Sequence, residues 1–290
     1  MAGDGRTRAD WGEQGTEYGL ELVEIPAGEF LMGAPEADGH DNAAAVLGLE
    51  YVQDRERPAH RVHLGAYLIG RTPVTVGQYA AFTAESGYVP DGLPASRLDA
   101  LDERLPACHV SWGDAARFCE WLSFLSHRPF RLPSEAEWER AARGDDGRLF
   151  PWGNDNPCGA GQGVPEFMTG FRRAYPSGRP MRAGCHLCNC AREFGSPTPV
   201  GSFPEGVSPW GCLDMVGNVW EWCADWFDPG YYKRSPADNP PGPDTGRSKV
   251  IRGGAWDTPV DTVRATVRLY DRPSGIPFFP CGFRVACDPG

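Results

Sequence analysis

The sequence predicts a mixed α+β fold made of short elements joined by much ordered loop. Three observations carry that expectation. The 290 residues include Gly 37 and Pro 28, a density of chain breakers that favours short elements and many turns over long helices. Runs with strand character lie toward the two ends of the chain. Between them stand three helix starts with good N-cap residues, at Thr75, Ser111 and Ser134.

Taken in order, residues 1–18 read as a disordered polar leader, and 19–290 as one domain. Leu20 to Met32 reads as strand, turn, strand. Residues 34–58 form an acidic insertion expected to be loop, and Val62 to Ile69 a further strand. The first helix starts at Thr75, with Gln78 closing a capping box and Gly87 as the stop. A second starts at Ser111, with Ala115, Phe118, Cys119, Leu122 and Leu125 along one face. The third starts at Ser134, with Glu137 in the capping-box position and Gly144 as the stop. Residues 145–250 lack helical periodicity and are expected to be mostly loop. Lys249 to Arg252, Val263 to Leu269 and Phe283 to Ala286 read as closing strands.

Composition narrows the function classes. A net charge of −11 argues against a nucleic-acid partner. No apolar run reaches the roughly 18 residues that a membrane span needs. The leader has no apolar core, so no signal peptide is expected and the default compartment is cytoplasmic. Ten cysteines are then expected to be thiols or metal ligands.

The segment Trp210 to Trp226 is the richest in information. Its tryptophans and carboxylates suggest a stiff, irregular loop, in which Asp214, Glu221 and intervening carbonyls could offer hard oxygen ligands to Ca²⁺. Other recognisable stretches are Val23–Gly33, Pro73–Tyr79, His109–Ala115, Arg131–Gly144, Pro151–Asn154, Val216–Trp222, Arg252–Trp256 and Gly282–Ala286. In this order they resemble the formylglycine-generating enzyme family, also called sulfatase-modifying factors, over roughly residues 20–288. The C-terminal stretch is nearer to the sulfoxide-synthase half of the ergothioneine enzymes.

The resemblance implies a C-type-lectin-like fold: a small twisted sheet, flanking helices and much irregular loop. It implies Ca²⁺ held by Asp214 and Glu221 side chains and by the carbonyls of Gly217 and Val219, with Asn189 matching part of a second calcium site. The family's Cu(I)-binding cysteine pair falls on Thr258 and Val263, which offer no thiolate, so formylglycine formation is not expected. Iron of the sulfoxide-synthase kind would need a partner protein, because the six histidines contain no His-x3-His pair. The family's ligand cleft maps to Trp256, Arg264, Arg268, Tyr270, Asp271, Arg272, Phe278, Phe279 and Cys281, a set suited to a carboxylate-bearing small molecule or peptide.

Other residues carry their own readings. Cys158, Cys185, Cys188 and Cys190 have spacing that suits Zn²⁺, against a bland reading as unpaired thiols or one disulfide. Cys108, Cys119 and Cys223 read as core, as does Cys281 on packing grounds alone. His60 and His63 lie three apart on an expected strand, so they face opposite ways and make a poor metal pair. Three functions remain open at this point: O₂-dependent oxidation of a thiol or amino-acid substrate, a calcium-stabilised binding module without catalysis, and a metal-clipped accessory subunit of a larger assembly.

Overall fold

The structure is a computed structural model that describes residues 16–17, 19–34, 53–98, 100–154, 186–259 and 263–289. The strands are β1 (Thr16–Glu17), β2 (Leu20–Ile25), β3 (Gly28–Met32), β4 (His60–Leu64), β5 (Tyr67–Gly70), β6 (Trp220–Trp226), β7 (Lys249–Arg252), β8 (Arg268–Asp271), β9 (Cys281–Gly282) and β10 (Ala286–Cys287). The helices are α1 (Val76–Ser86), the short α2 (Ala95–Leu98), α3 (Trp112–Ser126) and α4 (Glu135–Arg143).

Among the described residues the strands form three small sheets. Their orders are β1-β2-β5-β10, β3-β4 and β8-β7-β6-β9, all antiparallel except the β6–β9 pairing. The last sheet positions the candidate site, because β6 lies between β7 and β9.

The helix starts are those that local chemistry dictates. Thr75, Ser111 and Ser134 each accept a hydrogen bond from the third helical N–H, and Gln78, Asp114 and Glu137 return one to the cap. Asp114 also accepts from the amides of Asp91 and Gly92, so this box fastens a neighbouring loop to α3. Ala115, Phe118, Cys119 and Leu122 are buried on α3, while Leu125 is half-buried.

Strand boundaries depart from the sequence pattern for identifiable reasons. Val62 to Ile69 divides into β4 and β5, which pair with β3 and β2 respectively. In place of a Val263–Leu269 strand, the chain is irregular to Val267, where Ala265 N–H donates to the Leu149 carbonyl, and pairs only from Arg268 onward. Phe283–Val285 separates β9 from β10, because Phe283 and Val285 carbonyls serve Val74 and Gly70 instead. The Trp-rich run is only partly a loop: Trp220 to Trp226 is a strand of the third sheet, with Trp222 and Cys223 fully buried.

Two apolar clusters form the core. One gathers α1, α3, Trp220, Trp222, Cys281 and Phe283; the other gathers β2–β5, α4, Met215, Cys223 and Tyr232. A polar layer joins the third sheet to α4. Arg252 bonds Glu139, Arg268 forks onto Glu135 with bonds of 2.7 Å, and Arg264 reaches Glu56 at 2.8 Å. All six are almost entirely buried. Such pairs demand mutual compensation, since removing one partner strands the other charge in a low dielectric.

Candidate functional site

The segment before β6 organises the site. Asp214, Gly217 and Asn218 all have left-handed φ values, of 54°, 79° and 62°. At Gly217 a Cβ would fall 2.3 Å from the Asn189 carbonyl oxygen, so only glycine fits there. Asn218 then ties three segments together. Its N–H donates to Asn189 O, its carbonyl accepts from Trp256 N–H, and its side-chain oxygen accepts from Thr198 N–H at 2.9 Å. The 190s loop runs on beside residues 256–258, with Arg192 N–H donating to Trp256 O and Ala191 N–H to Thr258 O.

Thr258 and Val263 both lie inside this framework. The Thr258 hydroxyl accepts from Ala255 N–H at 2.8 Å, and Val263 is fully buried in a small cluster with Cys188, Cys190 and Val216. One position caps a tight turn and the other fills a core. Neither presents a group that holds a soft metal.

Trp256 and Phe279 both pack, partly exposed, against the core cluster that contains Trp220. Phe279 contacts Trp220 with ring centroids 5.9 Å apart, and Phe278 stands edge-on to Phe279 at 5.0 Å. The loop carrying them is fixed by Asp271, whose carboxylate accepts from the amides of Arg272, Phe278 and Phe279. Phe278 and Ile276 are 83% and 65% exposed, which makes this loop a rigid apolar tip.

Beside the face stand residues that the sequence reading did not single out as functional. His109 is held at φ 62°, an uncommon conformation for a residue with a Cβ. Burial and nearby Arg97 lower its pKa, against the opposing pull of Asp257, which favours the neutral imidazole. Cys108 precedes it, half-buried and not in the core, with its thiol pushed up to about 12 by burial. Only tertiary structure unites these groups. His109 opens the His109–Ala115 stretch that carries part of the family resemblance, and nothing local marks Asp257 as its neighbour.

The expected cleft is divided. Arg264 and Arg268 are buried in ion pairs and line no ligand surface. Tyr270 stacks on Phe227 at 4.4 Å and lies under Arg55, whereas Trp256 and Phe279 pack on the other core cluster. Asp271 positions the loop, Arg272 is exposed, and Cys281 is fully buried. Phe278 and Phe279 stay together, and Trp256 packs on the same core cluster as Phe279. Two hollows of about 420 and 250 Å³ lie elsewhere, around Asp228–Asp244 and Arg71–Leu213.

The expected metal sites divide similarly. Asp214 is buried, accepts from Gly201 N–H at 2.6 Å, and has its carboxyl pushed up to about 6 by burial, with Glu221 adding to the rise. Glu221 spends its oxygens on Arg284, at 2.6 and 2.7 Å, and on Trp138 Nε1. Asp214 therefore fits a cation better than Glu221 does. Asn189 has a buried side-chain oxygen without a hydrogen-bond partner. Cys188 and Cys190 are buried together, while Cys158 and Cys185 lie outside the described residues. Among the described residues no three His, Cys, Asp or Glu side chains converge as a metal site. His63 instead faces Asp238, and His60 packs on Tyr232.

Comparison with known proteins places these features in a family. A Sulfatase-modifying factor enzyme 1-like domain matches residues 7–289. The formylglycine-generating enzyme of Streptomyces coelicolor is 32% identical, over 92% of this chain and 88% of that protein. The hercynine oxygenase of Mycolicibacterium thermoresistibile is 29% identical over 95% of this chain, which spans 66% of that longer protein. Among solved structures, PvdO from Pseudomonas aeruginosa superposes with a TM-score of 0.71 at 27% identity, covering 94% of this chain and 96% of PvdO. On the family match over nearly the whole chain and these similarities, the chain belongs to the formylglycine-generating enzyme, or sulfatase-modifying factor, family.

Proposed function

We propose that this chain is a divergent member that oxidises a thiol, amino-acid or peptide substrate with O₂ and does not convert cysteine to formylglycine. One observation carries the reading: Thr258 and Val263 stand where the family resemblance places the copper thiolates, and both are built into the scaffold. The residues present do not fit Cu(I), so no step is assigned to it. The Trp256 face would take the apolar part of a substrate, and neutral His109 beside it would accept a proton. Iron, if used, would draw ligands from a partner chain. Oxygen uptake by the protein with Fe(II) and a panel of free and peptide-bound thiols tests this. Uptake that exceeds the metal-only rate and falls in His109→Ala supports it, and no protein-dependent uptake refutes it.

The rigid tip at Ile276–Phe279 favours a second reading, a non-catalytic module that binds a peptide through this loop. Binding of thiol peptides without any oxygen uptake would favour it over the first.

Calcium belongs to the same proposal as a structural ion. Buried Asp214, with its proton affinity raised, would hold it together with the carbonyls of Gly217 and Val219, and Glu221 would contribute charge from its pair with Arg284.

A further inference from the structure

Two cysteines unused by the chemistry above meet behind the Trp256 face. Cys108 lies just before α3, and Cys281 begins β9. Their backbones touch at two points. Val110 N–H donates to the Cys281 carbonyl at 3.1 Å, and a Cβ on Gly282 would lie 2.5 Å from the Ala107 carbonyl oxygen. Glycine at 282 thus lets the Cys108 stretch come down directly onto β9. Cys108 also lies near enough to Cys281 to add to the rise of its thiol pKa, and a disulfide would need the two Cα atoms within roughly 4.4–6.8 Å of each other. Both sulfurs are free thiols. Cys281 is fully buried, and Cys108 is the more accessible.

We propose that Cys108 and Cys281 are a redox pair, in which peroxide oxidises Cys108 and Cys281 then closes a reversible disulfide. In the first step the Cys108 sulfur attacks one peroxide oxygen. The O–O bond breaks, water leaves, and Cys108 becomes a sulfenic acid. In the second, the Cys281 sulfur attacks the Cys108 sulfur, the S–O bond breaks, and a second water leaves. One peroxide is reduced to two waters as two thiols lose two hydrogens. The bond would tie β9 to the start of α3, beside His109 and Asp257. This proposal is independent of the substrate-oxidation reading.

Burial holds both thiols in the protonated form, with Asp257 facing Cys108 and Asp271 facing Cys281. Oxidation is therefore slow at neutral pH and quickens as pH rises, because the thiolate is the attacking form.

The test treats the full-length protein with hydrogen peroxide, blocks remaining thiols under denaturing conditions, and maps the peptides by mass spectrometry. The expected result is a peptide pair joined through Cys108 and Cys281 and released by dithiothreitol, with the melting temperature raised by on the order of 5 °C. Cys281→Ala should instead accumulate a Cys108 sulfenic acid that dimedone traps. Should Cys281→Ala not fold, Cys108→Ser must abolish the joined peptide and the melting shift. Disulfides confined to other cysteines, or Cys108 passing to sulfinic acid with Cys281 still reduced, would overturn the pairing.

Discussion

At the residue scale, the buried arginines decide what their neighbourhood can be. Arg268 carries two hydrogen bonds to Glu135 and lies over the Tyr232 ring at 4.1 Å, with no solvent exposure. Arg268→Ala strips buried Glu135 of both arginine hydrogen bonds, leaving only Arg252 at 3.6 Å, and should cost about 3–5 kcal/mol of stability. Chemical denaturation checks this; a loss below about 1 kcal/mol would show the pair to be dispensable. Asp225 offers a second test. Burial beside Glu135 pushes its carboxyl up to about 7, from an ordinary value of 3.8. A carboxyl with a raised folded pKa adds stability that is fully present below pH 4 and is lost as pH rises through 7. Asp225→Asn should therefore be more stable than the parent protein at pH 8 and closer to it at pH 4. Thermal melts at the two pH values measure the difference, and equal differences at both would contradict the assignment.

At the element scale, legibility followed how local the determining physics was. The capping boxes of α1, α3 and α4 depend on residues three apart, so Thr75, Ser111 and Ser134 could be read directly. The closing strands depend on remote partners. Val263–Leu269 has strand character, but its first half turns to meet Leu149. The Trp220–Trp226 run looked like loop because a fully buried strand does not alternate apolar with polar residues. The site shows the same division. Thr258 and Val263 were found because the Gly253-Gly254 turn marks their positions. The burial of Arg264 and Arg268 was not, because a guanidinium in a core and one in a cleft look alike until Glu56 and Glu135 are placed. For the segment before β6, the calcium proposal predicts that EDTA lowers the melting temperature of the parent protein and that Asp214→Ala removes this sensitivity. Identical melts in EDTA and in excess Ca²⁺ would exclude the ion.

For the whole molecule, the proposed function separates the family scaffold from the family reaction. Asn218 holds the 190s loop and Trp256 together, α4 is bonded to the third sheet through Glu139 and Arg252, and the Thr258 hydroxyl caps the turn after Gly254. A fold can persist while the chemistry it carries changes. Under the proposed function, neighbouring His109 and Asp257 would serve a different substrate. The most direct measurement incubates the protein with a Cys-x-Pro-x-Arg peptide, with and without Cu(I), and follows the peptide by mass spectrometry. The peptide should retain its cysteine under both conditions, and appearance of the aldehyde product would contradict the account.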